Sequence, residues 1–279
     1  MNVAIIGIGL IGGSMALALK ESSLAETVIG VDNNPEHTAV ALERKLVHEI
    51  ASLEEAVAKA DLVILAIPVD AMETVLPQVL NLIDDQIVVE AGSTKSKIIE
   101  LVKNHPKRAQ FVATHPMWGP EYSGPEAAVR GAFQDKAVVV CNKEESSEKA
   151  ITLVVEFYTM LGMHIVFMDA TAHDVHAAYV SHVSHITSFA LANTVLEKER
   201  EESAIFELAS GGFESTVRLA KSNPAMWVPI FMQNRENVLD VLNEHISQLR
   251  KFKACLEKEN YEYLSELIQN ANKIKRIIK

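Results

Sequence analysis

Cysteine is almost missing: Cys141 and Cys255 are the only two in 279 residues. Two isolated thiols offer neither a disulfide framework nor a metal-ligand spacing, and they fit a reducing cytoplasm. Both read most simply as buried core thiols. Long apolar runs are missing too. Although 48% of the chain is hydrophobic, no stretch approaches the roughly eighteen uninterrupted apolar residues of a membrane span, and no membrane partner is expected. The apolar opening, residues 1–19, lacks the basic start of a secretory signal and carries glycines where a signal needs its hydrophobic run. Positive charge is in deficit, 26 Lys+Arg against 37 Asp+Glu for a net −11. A field of that sign repels phosphodiester backbones, so nucleic acid is excluded as an expected partner, and an anionic substrate has to be met by individual cations. The chain also has no internal repeats and no low-complexity tracts.

What is present has two textures. From Asn2 to about Met168, short apolar runs alternate with helix-length amphipathic stretches, the pattern of a parallel sheet covered by helices. Strands are expected over 3–6, 28–31, 62–66, 87–90, 111–114, 137–140 and 165–167, with helices such as 10–20, 35–44 and 147–160 between them. After Asp169 helical periodicity with charged faces runs to Lys279, broken at Gly211-Gly212, Asn223-Pro224 and Val228-Pro229. The expectation is an α/β protein: a Rossmann-type dinucleotide-binding domain over 1–169, then an all-helical domain over 170–279.

Gly7-Ile8-Gly9-Leu10-Ile11-Gly12 follows the first strand and opens a helix, the context in which a GxGxxG pattern points to a dinucleotide. Gly7 permits the tight turn, Gly9 lets backbone approach a pyrophosphate, and Gly12 lets helix and strand pack closely. The N–H groups at Leu10 and Ile11 face the phosphates. Asp32 ends the second strand twenty residues beyond Gly12, where a carboxylate accepts from ribose hydroxyls and repels a 2′-phosphate. The expected cofactor is NAD.

His115 follows the 111–114 strand at the sheet edge where such folds bind ligands, and an imidazole there can act as general base. Read alone, it is equally a strand-end residue bonded to a loop. The turn-rich segment 117–125 behind it has the character of a functional loop. Ser93, in Gly92-Ser93-Thr94-Lys95, reaches the same edge and reads also as a helix cap. His173, His176, His182 and His185 invite a metal reading. At about 100° per residue on one continuous helix, however, His173 and His182 lie roughly 180° apart, as do His176 and His185, so no metal site is expected. Arg218 carries a bidentate fork suited to a carboxylate, and by itself reads as a surface ion-pair partner. Trp227 by itself reads as a core or interface aromatic.

Taken together, GIGLIG at 7–12, GSTK at 92–95, HPMWGPEYSG at 115–124, SHVSH at 181–185 and GGFESTVRLAKSNPAMW at 211–227 resemble the prephenate/arogenate dehydrogenase family along nearly the whole chain. The resemblance implies NAD-dependent oxidative decarboxylation of prephenate to 4-hydroxyphenylpyruvate, CO2 and NADH on the way to tyrosine, or of arogenate to tyrosine itself. It implies that His115 takes the ring hydroxyl proton and that Ser93 bonds both hydroxyl and imidazole. It assigns the ring carboxylate to Arg218, and the substrate's side-chain end to His185 and the Gly211 backbone. Glu121 would belong to an ionic gate, and Trp227 would reach the site of a partner subunit in a homodimer intertwined through its helical halves. His185 tilts the reading toward prephenate. The sequence departs from the family pattern at Trp118, often a small residue, at Pro120, usually threonine, and at Ser215, which can be acidic. The rivals are a β-hydroxyacid-type dehydrogenase, which would need a catalytic lysine that the helical half does not present, and a non-catalytic NAD-sensing protein.

Overall fold

A computed structural model describes residues 1–22, 24–199, 207 and 209–277. Eight strands form one sheet: β1 (Asn2–Ile6), β2 (Thr27–Val31), β3 (Glu49–Ile50), β4 (Leu62–Leu65), β5 (Ile87–Glu90), β6 (Phe111–Pro116), β7 (Ala137–Cys141) and β8 (His164–Met168). Their spatial order is β3-β2-β1-β4-β5-β6-β7-β8. The central strands LVIL and IVVE are buried at every residue, as Val/Ile/Leu runs are when helices cover both faces. Side chains alternate between two cores: Val3 and Ile5 join Met15 and Phe157 on one face, while Ala4 and Ile6 join Met72 and Leu76 on the other. Trp227 and Ile230 of the helical half belong to the second core.

Two details differ from the sequence expectation. β3 is an added strand, too short at two residues to show any periodicity. And β7 runs antiparallel to β6, with β8 parallel to β7, so the sheet is mixed; apolar runs carry no record of direction. β1, β4, β5 and β6 remain parallel, which puts the glycine turn, Gly92 and His115 at one edge.

Among the described residues, those after Asp169 are predominantly helical from Ala170, where the first helix is capped by the Asp169 side chain on Ala172 N at 2.9 Å. The expected break at Val228-Pro229 is absent, because Pro229 lies inside the helix Pro224–Gln233. Ala178–His182 forms a π-helical turn between the helices Ala170–Ala177 and Val183–Glu199. A π turn advances less angle per residue than an α turn, so the 180° separation inferred for a continuous helix does not hold, and His173 and His182 are both buried.

Beneath the ligand edge lies an ion pair with no exposed side-chain surface. Lys95 Nζ donates to Glu90 Oε1 and, at 2.6 Å, to the Thr114 carbonyl. Glu90 also accepts from Gly92 N at 2.7 Å and Thr114 N at 3.1 Å. Burial pushes the Glu90 carboxyl up while Lys95 pulls it back down. The pair ties the ends of β5 and β6 to the turn between them. Lys95→Met is expected to lower unfolding stability by about 3–5 kcal/mol by stranding Glu90, measured by urea denaturation. Glu90→Gln combined with Lys95→Met should recover a large part of that loss.

Candidate active site

The helix Leu10–Glu21 starts at Gly9 with no side-chain cap and no acidic residue in its first turn, leaving its first N–H groups free for an anion. Gly7 has φ +91°, and a Cβ there would stand 2.5 Å from the Ala66 carbonyl oxygen. A Cβ on Gly12 would run into the Gly7 carbonyl, whereas one on Gly9 would meet nothing within 4 Å. Two glycines are thus demanded by packing. The third borders open space, where a phosphate group fits. The Asp32 carboxylate accepts from Ile8 N at 2.8 Å and Asn34 N at 2.9 Å and faces His37 Nδ1 at 3.4 Å, which fastens the end of β2 to the glycine turn. Its remaining lone pairs are available to ribose hydroxyls.

His115 is the fifth residue of β6 and half-buried. Its Nδ1 lies 2.9 Å from His173 Nε2, and His173 Nδ1 lies 2.9 Å from Asp174 Oδ1. Asp174 accepts as well from Lys95 N at 2.8 Å and Ser96 N at 2.9 Å. Ser93 sits at the same edge, half-buried, but makes no hydrogen bond to His115: the His115 nitrogen on the protein side is taken by His173, which reaches across from the helical half. Burial, then the neighbouring charges of His173, Lys95 and His182, holds the His115 imidazole well below its ordinary range.

Arg218 and Glu121 are brought together: Arg218 Nη1 donates to Glu121 Oε2. The expected carboxylate-binding cation and the expected gate residue are therefore each other's partners. A backbone N–H and then Arg218 hold Glu121 below the usual carboxylate range. Ser215, the departure that removed an acidic partner, donates to Gly212 O at 3.0 Å within its own helix. Trp118 packs edge-to-face on Phe133 at 5.3 Å, so its bulk is absorbed by the core below the loop, and Pro120 stands beside Glu121 at half exposure. His185 donates from Nδ1 to Ser181 O at 3.0 Å and stacks on Trp227 with centroids 3.5 Å apart. Trp227, expected to serve a partner's site, is 6% exposed and packed on His182, His185 and Phe231 of its own chain. Gly211 opens the helix Gly211–Val217 and is exposed, and a Cβ there would meet nothing within 4 Å.

Sequence reasoning gave His173 no role beyond a discarded metal reading, and it missed Asp174, Lys95 and Asn234. Asn234 Nδ2 donates to Asp174 O at 2.7 Å and meets His182 Nδ1 at 3.2 Å. A histidine followed by aspartate just after a helix start is a usable signal for His173 and Asp174. Nothing local marks Asn234.

Two family models cover the chain: "Prephenate dehydrogenase, nucleotide-binding domain" matches residues 15–167 and "Prephenate dehydrogenase, dimerization domain" matches 169–270. The prephenate dehydrogenase of Bacillus subtilis is 30% identical over 97% of this chain and 74% of its own length. A cyclohexadienyl dehydrogenase of Zymomonas mobilis is 30% identical over 100% and 96%. Among solved structures, Aquifex aeolicus prephenate dehydrogenase in complex with hydroxyphenyl propionate and NAD+ superposes with a TM-score of 0.91 at 30% identity, over 99% of this chain and 97% of that one. Synechocystis arogenate dehydrogenase shares the fold with a TM-score of 0.78.

Burial holds His115, His173, His182 and His185 below the ordinary 6.5, His182 at about 4. Between those values the unfolded chain binds more protons than the folded one, so stability is full above pH 6.5 and falls as pH drops toward 4. His182 alone is worth on the order of 3 kcal/mol across that window. Calorimetry should record a progressive fall in Tm below pH 6.5, with a shallower slope in His182→Asn; a Tm independent of pH down to about 4 would contradict this.

Proposed function

The chain belongs to the prephenate dehydrogenase family, and from that we propose that it oxidises and decarboxylates prephenate with NAD, giving 4-hydroxyphenylpyruvate, CO2 and NADH. The observation that carries the reading is the position of His115. This neutral imidazole ends β6 on the sheet edge that also holds the glycine turn, and a run of neighbouring side chains joins it to Arg218: His173 in contact, His182 next, then His185, whose protonation feels the Arg218 charge.

In this reading Gly9 and the N–H groups of Leu10 and Ile11 hold the pyrophosphate, and Asp32 holds the ribose. Bound NAD supplies the hydride acceptor. Arg218 exchanges Glu121 for the ring carboxylate, which orients the ring against the cofactor. Ser93 steers the C4 hydroxyl, and His115 takes its proton as hydride leaves C4. The bond to the ring carboxylate then breaks, CO2 departs, and its electron pair makes the ring aromatic with a phenolate oxygen, to which His115 returns the proton. His185, Gly211 and Trp227 line the side-chain end. The boundary between the cofactor domain, 1–169, and the helical domain, 170–279, falls at Asp169. The helical half pairs two copies as a homodimer, and the enzyme works in the cytoplasm.

A second reading, arogenate as substrate, has one observation behind it. With Nδ1 donating to Ser181 O and the ring neutral, His185 presents a lone pair at Nε2, which accepts from an ammonium better than it serves a keto oxygen. This runs against the tilt toward prephenate taken from the sequence.

Steady-state NADH formation with prephenate and with arogenate, each with NAD and NADP, tests the proposal: turnover is expected with NAD and prephenate. His115→Asn should cost roughly 10²–10⁴-fold in kcat, and the acidic limb of kcat/KM should lie below pH 6.5. Absence of NADH with both dienols overturns the function.

A further inference from the structure

We propose that His173 and Asp174 are positioning residues that lock His115 in one tautomer, with hydrogen on Nδ1 and the lone pair on Nε2 facing the substrate. The inference rests on the proposed dehydrogenase reading for its catalytic meaning, though not for its geometry.

The direction of the chain of hydrogen bonds follows from donor bookkeeping. Asp174 Oδ1 receives two backbone or ring donors and Oδ2 a third, from Lys95 N, His173 Nδ1 and Ser96 N, an environment that keeps the carboxylate ionised and therefore acceptor-only. His173 Nδ1 must then carry hydrogen. His173 is 2% exposed, and burial keeps its ring neutral, so its Nε2 has only a lone pair. Across 2.9 Å that lone pair demands the hydrogen on His115 Nδ1. His115 is neutral for the same reason, with Lys95, His173 and His182 all opposing a second proton, and its Nε2 is left as the basic nitrogen. A second imidazole between carboxylate and base extends the arrangement in which an acid fixes the tautomer of a catalytic histidine.

The relay is anchored from both halves of the molecule. Its base ends β6, while its orienting imidazole and carboxylate come from the helix Ala170–Ala177. Asn234 holds the Asp174 carbonyl, and Asp174 itself clamps the first N–H groups of the helix Ser96–Val102. The base is thereby aimed only when the helical half is docked on the sheet.

The test uses the whole chain. ¹⁵N NMR of His115 in the NAD-bound enzyme should show the Nδ1–H form in the wild type and its loss in His173→Leu. His173→Leu should lose at least about a hundredfold in kcat with little change in KM or in NAD affinity. His173→Gln, whose amide oxygen can accept from Nδ1, should stay within about tenfold of wild type. A wild-type His115 carrying hydrogen on Nε2 overturns the relay, as does a folded His173→Leu enzyme with unchanged kcat. If Leu at 173 prevents folding, the wild-type tautomer and the Gln variant still decide. A wild type inactive on both dienols would defeat the proposed function instead, with the tautomer still read independently by NMR.

Discussion

The Asp174 carboxylate is the constraint on which the site's geometry depends. It sits on the first helix after the sheet, yet its oxygens are spent on the Gly-Ser-Thr-Lys turn and on His173. A buried carboxylate is costly unless it is fully bonded. Here its bonds are distributed over two otherwise separate pieces of chain, so neither piece can move without stranding a charge. The Lys95–Glu90 pair does the same one layer down, between strands β5 and β6. Together they make the ligand edge of the sheet stiff where a reaction needs fixed distances.

Charge is arranged against the grain of the molecule as a whole. A chain with a net −11 has to present cations to an anionic substrate; the proposed reading gives that task to Arg218, an exposed guanidinium whose counter-ion in the structure is Glu121. The four imidazoles nearby contribute no positive charge, because burial keeps them neutral near pH 7. In the proposed reading, attraction for an anion and proton acceptance therefore fall to different groups, and neither function weakens the other.

What the sequence makes legible is whatever is written in local order. Fully buried runs such as LVIL and IVVE announce strands, and the spacing of Gly7, Gly9, Gly12 and Asp32 announces the turn they build. His115 and Arg218 can be nominated because their residue types and neighbours suit the chemistry. The unread portion belongs to contacts across long separations: His173 is 58 residues from His115, and Asn234 is 60 from Asp174. One expectation fails on geometry. Treating 173–185 as a uniform α-helix puts His173 and His182 on opposite sides, and five residues of π-helix undo that. No residue type signals such a turn, which in the structure lies against the helix Arg235–Glu257.

The reversal of β7 has its own consequence. Had β7 run parallel to β6, the chain leaving His115 would have crossed to the far edge before re-entering the sheet. Because it runs antiparallel, residues 117–136 leave and return on the ligand side, forming an overhang tethered to the cofactor helices by Arg44 on the Pro125 and Ala128 carbonyls and by Ser14 on Val129 N. Glu121 rides on that overhang. Ala128, Ala132 and Phe133 seat the overhang's returning arm in the core beside the cofactor helix, so only its tip around Glu121, Tyr122 and Ser123 lies outside the packing that fixes the glycine cradle, and variation confined to that tip leaves the nucleotide-reading half undisturbed.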